Sequence, residues 1–227
     1  EFNPIDAVQL LCMLMNTQVV SVMNGNLHCS IKGLNGYSWF HRWLIALSEK
    51  YKSVQEYADR RVHQFINNPK FRSKEAVPIM GDFLPLLSIS KYTWADVSDV
   101  LLEEVFARNV TCCFKKYPHL RYEVSKKSRI EASFDSSRTM NGLLMFHVHF
   151  LKTIARPKGL TLQQVAAEYD ARNGAASVLA QDKFQNDVFY LQGVETFEEF
   201  FECVDIASDM DIHEMLIQSI KNSLNFG

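Results

Sequence analysis

Glycine and proline are scarce, nine and six in 227 residues. A β-sandwich or barrel reverses its chain every few residues and needs more of both, so the scarcity argues against an all-β fold. An excess of one charge is also missing. Lys and Arg number 24 against 26 Asp and Glu, a formal net charge of −2. That excludes a strongly basic nucleic-acid domain but not a local basic patch. The five cysteines, Cys12, Cys29, Cys112, Cys113 and Cys203, form no C-x-x-C. An odd count without framework spacing argues against a disulfide scaffold. It points to free thiols in a reducing compartment, cytoplasmic or nuclear. The longest apolar stretches are broken by Asp82, Lys91 or Lys152. None reaches the roughly 18 residues that span a bilayer, so no membrane partner is expected. No secretory signal pattern marks the start.

Chemical signatures are lacking as well. There is no G-x-G-x-x-G, no G-x-x-x-x-G-K-[ST], no G-x-S-x-G and no H-E-x-x-H. Dinucleotide, P-loop, serine-hydrolase and zinc-protease chemistry are therefore not indicated. We expect no metal and no organic cofactor. Asn109-Val110-Thr111 matches a glycosylation triplet, but it falls inside a predicted buried helix, where it would be idle.

What is present is material for a core. Apolar residues make up 47%, with 16 Phe, 8 Tyr and 3 Trp. Aromatics bury large areas, so most of the chain is expected to fold. The longest largely apolar stretch runs from Ala76 to Phe114. It reads as two buried helices around a polar turn, Ser88 to Thr93, and is the expected centre of the fold.

Along the chain, Asn3-Pro4 starts a helix over Ile5 to Met15. Val19 to Met23 and Leu27 to Ile31 flank Asn24-Gly25-Asn26, the pattern of a small β-hairpin. Lys32 to Gly36 reads as a loop, and residues 3–36 as a possible subdomain. Tyr37 to Tyr51 is helical, with Trp39, Phe40, Trp43, Leu44 and Leu47 as its apolar stripe. Ser53 with Glu56 forms a capping box for the next helix, which ends at Asn67-Asn68-Pro69. Glu75 to Leu87 is expected to be helical up to a kink or stop at Pro85. Thr93 starts a helix that runs into Cys112, Cys113 and Phe114. Leu120 to Arg138 reads as a polar surface segment. Met140 to Ile154 is strongly apolar and ends at Arg156-Pro157. Further boxes are Thr161 with Gln164, Thr196 with Glu199 and Asp211 with Glu214. Asn173-Gly174 is a C-cap signal, and Ala175 to Gln185 a short helix or loop. The expectation is a mostly α, compact domain of eight to ten helices. Glu1-Phe2 is the dipeptide that a common cloning site encodes, so residues 1–2 read as a vector remnant and 3–227 as one helical domain cut from a larger protein.

Four constellations could carry function. His147-Val148-His149 would share a metal on a strand, where both side chains face one way. On a helix they diverge by about 200°, which favours two separate histidines. Cys112-Cys113 lies beside Lys115 and Lys116, but at a helix C-terminus, the wrong end to stabilise a thiolate. Phe197, Phe200 and Phe201 lie among Glu195, Glu198, Glu199, Glu202 and Asp205. At helical spacing the phenylalanines are core, although with these acids they could form an acidic-aromatic docking face. Lys115, Lys116, Arg121, Lys126, Lys127 and Arg129 form a basic run opposed only by Glu123 and interleaved with Tyr117 and Tyr122. These residues either pair with the acidic 195–214 segment or meet an anionic partner such as RNA. The leading expectation is a helical scaffold or adaptor module that docks another protein through these two faces. The alternatives are an RNA-binding module using the basic run, and an enzyme whose site is assembled from residues distant in sequence.

Overall fold

A computed structural model describes residues 2–121, 125–206 and 211–224. It is 78% helical, with ten α-helices and no strand among the described residues. In chain order these are α1 Pro4–Met23, α2 Ile31–Lys50, α3 Lys52–Asn67, α4 Met80–Phe83, α5 Trp94–Lys116, α6 Lys126–Phe150, α7 Leu162–Ala171, α8 Val178–Gln192, α9 Phe197–Cys203 and α10 Ile212–Leu224.

The expected hairpin is not formed. Val8, Cys12, Met15, Val19 and Val22 are all buried. Their alternating spacing of four and three keeps one seam facing the core, so the helix continues through Val19 to Met23. Asn24-Gly25 ends it instead, with Gly25 at φ +72°. Ser30 then caps α2 by accepting from the Gly33 N–H at 3.1 Å, so the expected loop over Lys32 to Gly36 is the first turn of that helix. The apolar stripe of α2 is also rotated from the expected one. Leu34, Tyr37, His41, Leu44 and Ile45 face inward, while Trp39 and Trp43 are exposed.

α3 starts two residues earlier than its capping signal at Ser53 implies. Tyr51 is its N-cap and makes no side-chain cap bond, and the Glu56 carboxylate pairs with Lys52 at 3.3 Å instead. The helix expected over Glu75 to Leu87 shrinks to α4 and a 3-10 turn, Leu84–Ser88. Pro78 and Pro85 lack the N–H groups that a longer helix would use. Gly81 lets α4 press against α1 and α6, since a Cβ there would lie 1.9 Å from Asn16 Oδ1 and 2.7 Å from Leu143 Cδ1.

The hub is α6 rather than the 76–114 stretch. It packs against α1, α5, α8, α9 and α10. From Asn141 to Val148 every residue is buried, the mark of a helix surrounded on all sides. Its first half, expected as polar surface, is amphipathic and buries Ser133, Phe134 and Ser137. The polar turn at Ser88 to Thr93 is also drawn inward, with Ser88 and Ser90 buried. Arg156 satisfies it by donating to the carbonyls of Ser88 at 3.2 Å, Tyr92 at 3.0 Å and Ser90. The expected boxes at Thr161 and Thr196 are formed, and Asp211 accepts from the His213 and Glu214 N–H groups at 2.9 and 3.3 Å.

Candidate functional site

After Phe150, α6 widens into a π-turn, Leu151–Ala155, closed by the Arg156 N–H donating to the Leu151 carbonyl at 2.7 Å. Such turns shift the side chains that follow and recur at functional sites. Here the turn borders a cleft of about 310 Å³ between α6, α8 and α9. His149 spans its floor, with Nδ1 3.4 Å from the Asp187 carboxylate and Nε2 3.1 Å from the Cys203 carbonyl. Lys183 holds the same carboxylate at 2.8 Å. Lys152 pairs with Asp205, a non-glycine residue in the left-handed region at φ +56°. Glu202 and the ring of Tyr190 complete the rim.

The electrostatics of the cleft do not favour a nucleophile. Burial, then the carboxylates of Glu202 and Glu199, push the Cys203 thiol up to about 11. Only a thiolate attacks, so these surroundings work against a nucleophilic role for this cysteine. The Tyr190 phenol is also raised, by the Cys203 thiol first, then desolvation, then Glu199 and Glu202.

The other histidine of the pair lies elsewhere. His147 Nδ1 meets the Tyr37 hydroxyl at 3.1 Å inside the core, and His41 Nδ1 meets the Tyr169 hydroxyl at 2.9 Å. Burial pushes both imidazoles down to about 3, with Arg156 and Arg42 adding to the effect at His41. His147 and His149 thus face different surroundings and do not converge on one ion.

The residues singled out by the sequence are dispersed. Phe197, Phe200 and Phe201 are buried, and the Phe197 ring stacks on Phe106 and meets Phe134 edge-on. A partner could reach them only if α9 left the core. Lys116 pairs with Asp135 at 2.7 Å, Lys126 with Asp211 at 3.0 Å and Lys127 with Glu131 at 3.7 Å. Arg129 is half-buried beside an apolar pocket under α10. The side chains of Lys115 and Arg121, and all of Tyr122 and Glu123, lie outside the described residues. Cys113 is buried near the Ser133 hydroxyl, and Cys112 is exposed.

One surface escaped the sequence reading. Leu10, Met13 and Leu14 are 56%, 52% and 42% exposed on the outer side of α1. Gln18 Nε2 donates to the Gly33 carbonyl at 2.6 Å, which fixes the register of α1 against α2. Gly36 of α2 has open space above it. α1 is also long and apolar enough to cross a membrane by length and composition, with a mean hydropathy of 1.4. Splitting it between a helix and a hairpin hid both properties. No protein-family model, curated protein or solved structure matches this chain.

Proposed function

We propose that the chain is a helical interaction module that docks an apolar helix of another protein on the outer face of α1. The observation that carries this reading is the stripe of Leu10, Met13 and Leu14 at i, i+3 and i+4. This is the spacing at which one helix presents a continuous apolar strip against which a second helix can lie. Covering the exposed part of three such side chains is worth roughly 2–4 kcal/mol, enough to matter for a specific contact. The RNA reading has less support, because Lys116, Lys126 and Lys127 already face carboxylates. The enzyme reading lacks an activated nucleophile in the cleft.

A photo-crosslinking residue placed at Met13 tests the reading in cells. The expected result is an adduct with one protein partner, lost in Leu10→Glu/Leu14→Glu, whose helix content stays unchanged by circular dichroism. An adduct that persists in the variant would overturn the proposal. So would an adduct of twice the chain's mass, which would make the occupant a second copy.

A further inference from the structure

We propose that the cleft beside the π-turn receives the guanidinium of an arginine carried on a basic segment of a partner protein. The inference does not depend on the α1 face, which lies on other elements.

The argument starts from which charges in the cleft are already satisfied. Lys152 is held by Asp205, and Lys183 by Asp187. His149 is fixed between Asp187 and the Cys203 carbonyl. Glu202 is exposed and makes no ion pair among the described residues. The charge left without a partner in the cleft is therefore negative. An anionic ligand would have to break a lysine–carboxylate pair and then sit beside Glu202, whereas a cation needs to break nothing.

The shape selects among cations. Tyr190 lines the same cleft and is 59% exposed, so its ring is open to contact. A planar guanidinium stacks on an aromatic face and can offer its fork to a carboxylate at the same time. A lysine ammonium is a compact, strongly hydrated charge and does the two together less well. The volume of about 310 Å³ admits the guanidinium and its stem. The source follows from hydration. Free arginine brings a charged α-ammonium and a charged α-carboxylate to the mouth of the cleft, and both lose water on binding, whereas an arginine within a peptide brings neutral amides there.

The test is an amide NMR titration of the whole chain. The probes are N-acetyl-arginine amide, the blocked peptide Gly-Gly-Arg-Gly-Gly, free arginine, N-acetyl-lysine amide and N-acetyl-glutamate amide. Saturable shifts at residues of the cleft are expected with the blocked arginine and the peptide. Binding by the lysine derivative and by free arginine should be weaker by about threefold or more. Glu202→Gln and Tyr190→Ala, both at exposed positions, should each weaken peptide binding by about fivefold or more. Absence of saturable shifts, equal binding of the glutamate derivative, or unchanged binding in Glu202→Gln would overturn the site. Free arginine binding as tightly as the peptide would overturn the partner segment as its source.

Discussion

The two core histidines should make this protein unusually sensitive to mild acid. His41 and His147 are neutral in the fold, with pKa values pushed down to about 3 by burial. In the unfolded chain each returns to about 6.5. Between those values the unfolded state binds more protons than the native state, so stability rises with pH across the window. It is fully present above about pH 6.5 and is lost as pH falls from 6.5 toward 3. At pH 5.0 each histidine costs about 2 kcal/mol relative to pH 7.5, so the pair costs about 4 kcal/mol. The carboxylates do not add to the loss in this window. Asp135, Asp170 and Asp211 have pKa values lowered by Lys116, Arg42 and Lys126, so their contribution is lost only at lower pH. Asp82 and Glu104 are raised by burial and act in the opposite sense. Urea unfolding at both pH values should show the 4 kcal/mol loss in the wild-type protein. His41→Asn/His147→Asn, which keeps a polar atom near each Nδ1 position, should lose much less. If the double variant is too unstable, each single variant should remove about half the loss. Independently, the imidazoles of His41 and His147 should fail to titrate by NMR between pH 8 and 5 in the wild-type protein. A stability that is flat over this range, an equal slope in the variants, or titration of these two imidazoles would refute the reasoning.

Three further substitutions probe the packing, and a fourth serves as an exposed control. Gly81→Ala places a methyl group against Asn16 and Leu143 and should cost about 1–3 kcal/mol by urea unfolding, with an unchanged m-value. Arg156→Met leaves the Ser88, Ser90 and Tyr92 carbonyls without their guanidinium. It should cost about 3 kcal/mol or more and speed hydrogen exchange in the 84–93 segment. Phe197→Ala opens a cavity between α5, α6 and α9 and should cost about 3–5 kcal/mol, whereas Glu198→Ala on the exposed side of α9 should stay within about 0.5 kcal/mol.

Local signals were readable where a single residue type decides the outcome. The starts of α5, α7, α9 and α10 follow from Thr93, Thr161, Thr196 and Asp211, because a cap is a contact between near neighbours. Where a local signal competed with packing, it lost. Asn24-Gly25 reads as a hairpin turn only while the seam from Val8 to Val22 is ignored, and that seam has value only with α6 and α2 behind it. Ser53 with Glu56 fits the box pattern, but Glu56 had a lysine four residues upstream to pair with. The polar turn at Ser88 to Thr93 could not be read as buried, because its partner, Arg156, is more than sixty residues away.

The same reasoning explains why the charged runs were poor guides to a site. A run of lysines is visible in sequence, but whether it is available depends on which carboxylates fold against it. Lys126 meets Asp211 across 85 residues, and Lys152 meets Asp205 across 53. Folding therefore pairs part of the basic segment with the acidic one, and Glu202 of the acidic segment is left with charge that the basic run does not meet. The aromatic half of the expected acidic-aromatic face was exchanged in the same way. Phe197, Phe200 and Phe201 face inward because α9 is only two turns long and must bury its apolar side to be held at all. The ring left beside the acids is Tyr190, supplied by α8. A site made of what remains after long-range pairing has no local motif, and a reading confined to neighbours in sequence finds its components without their arrangement.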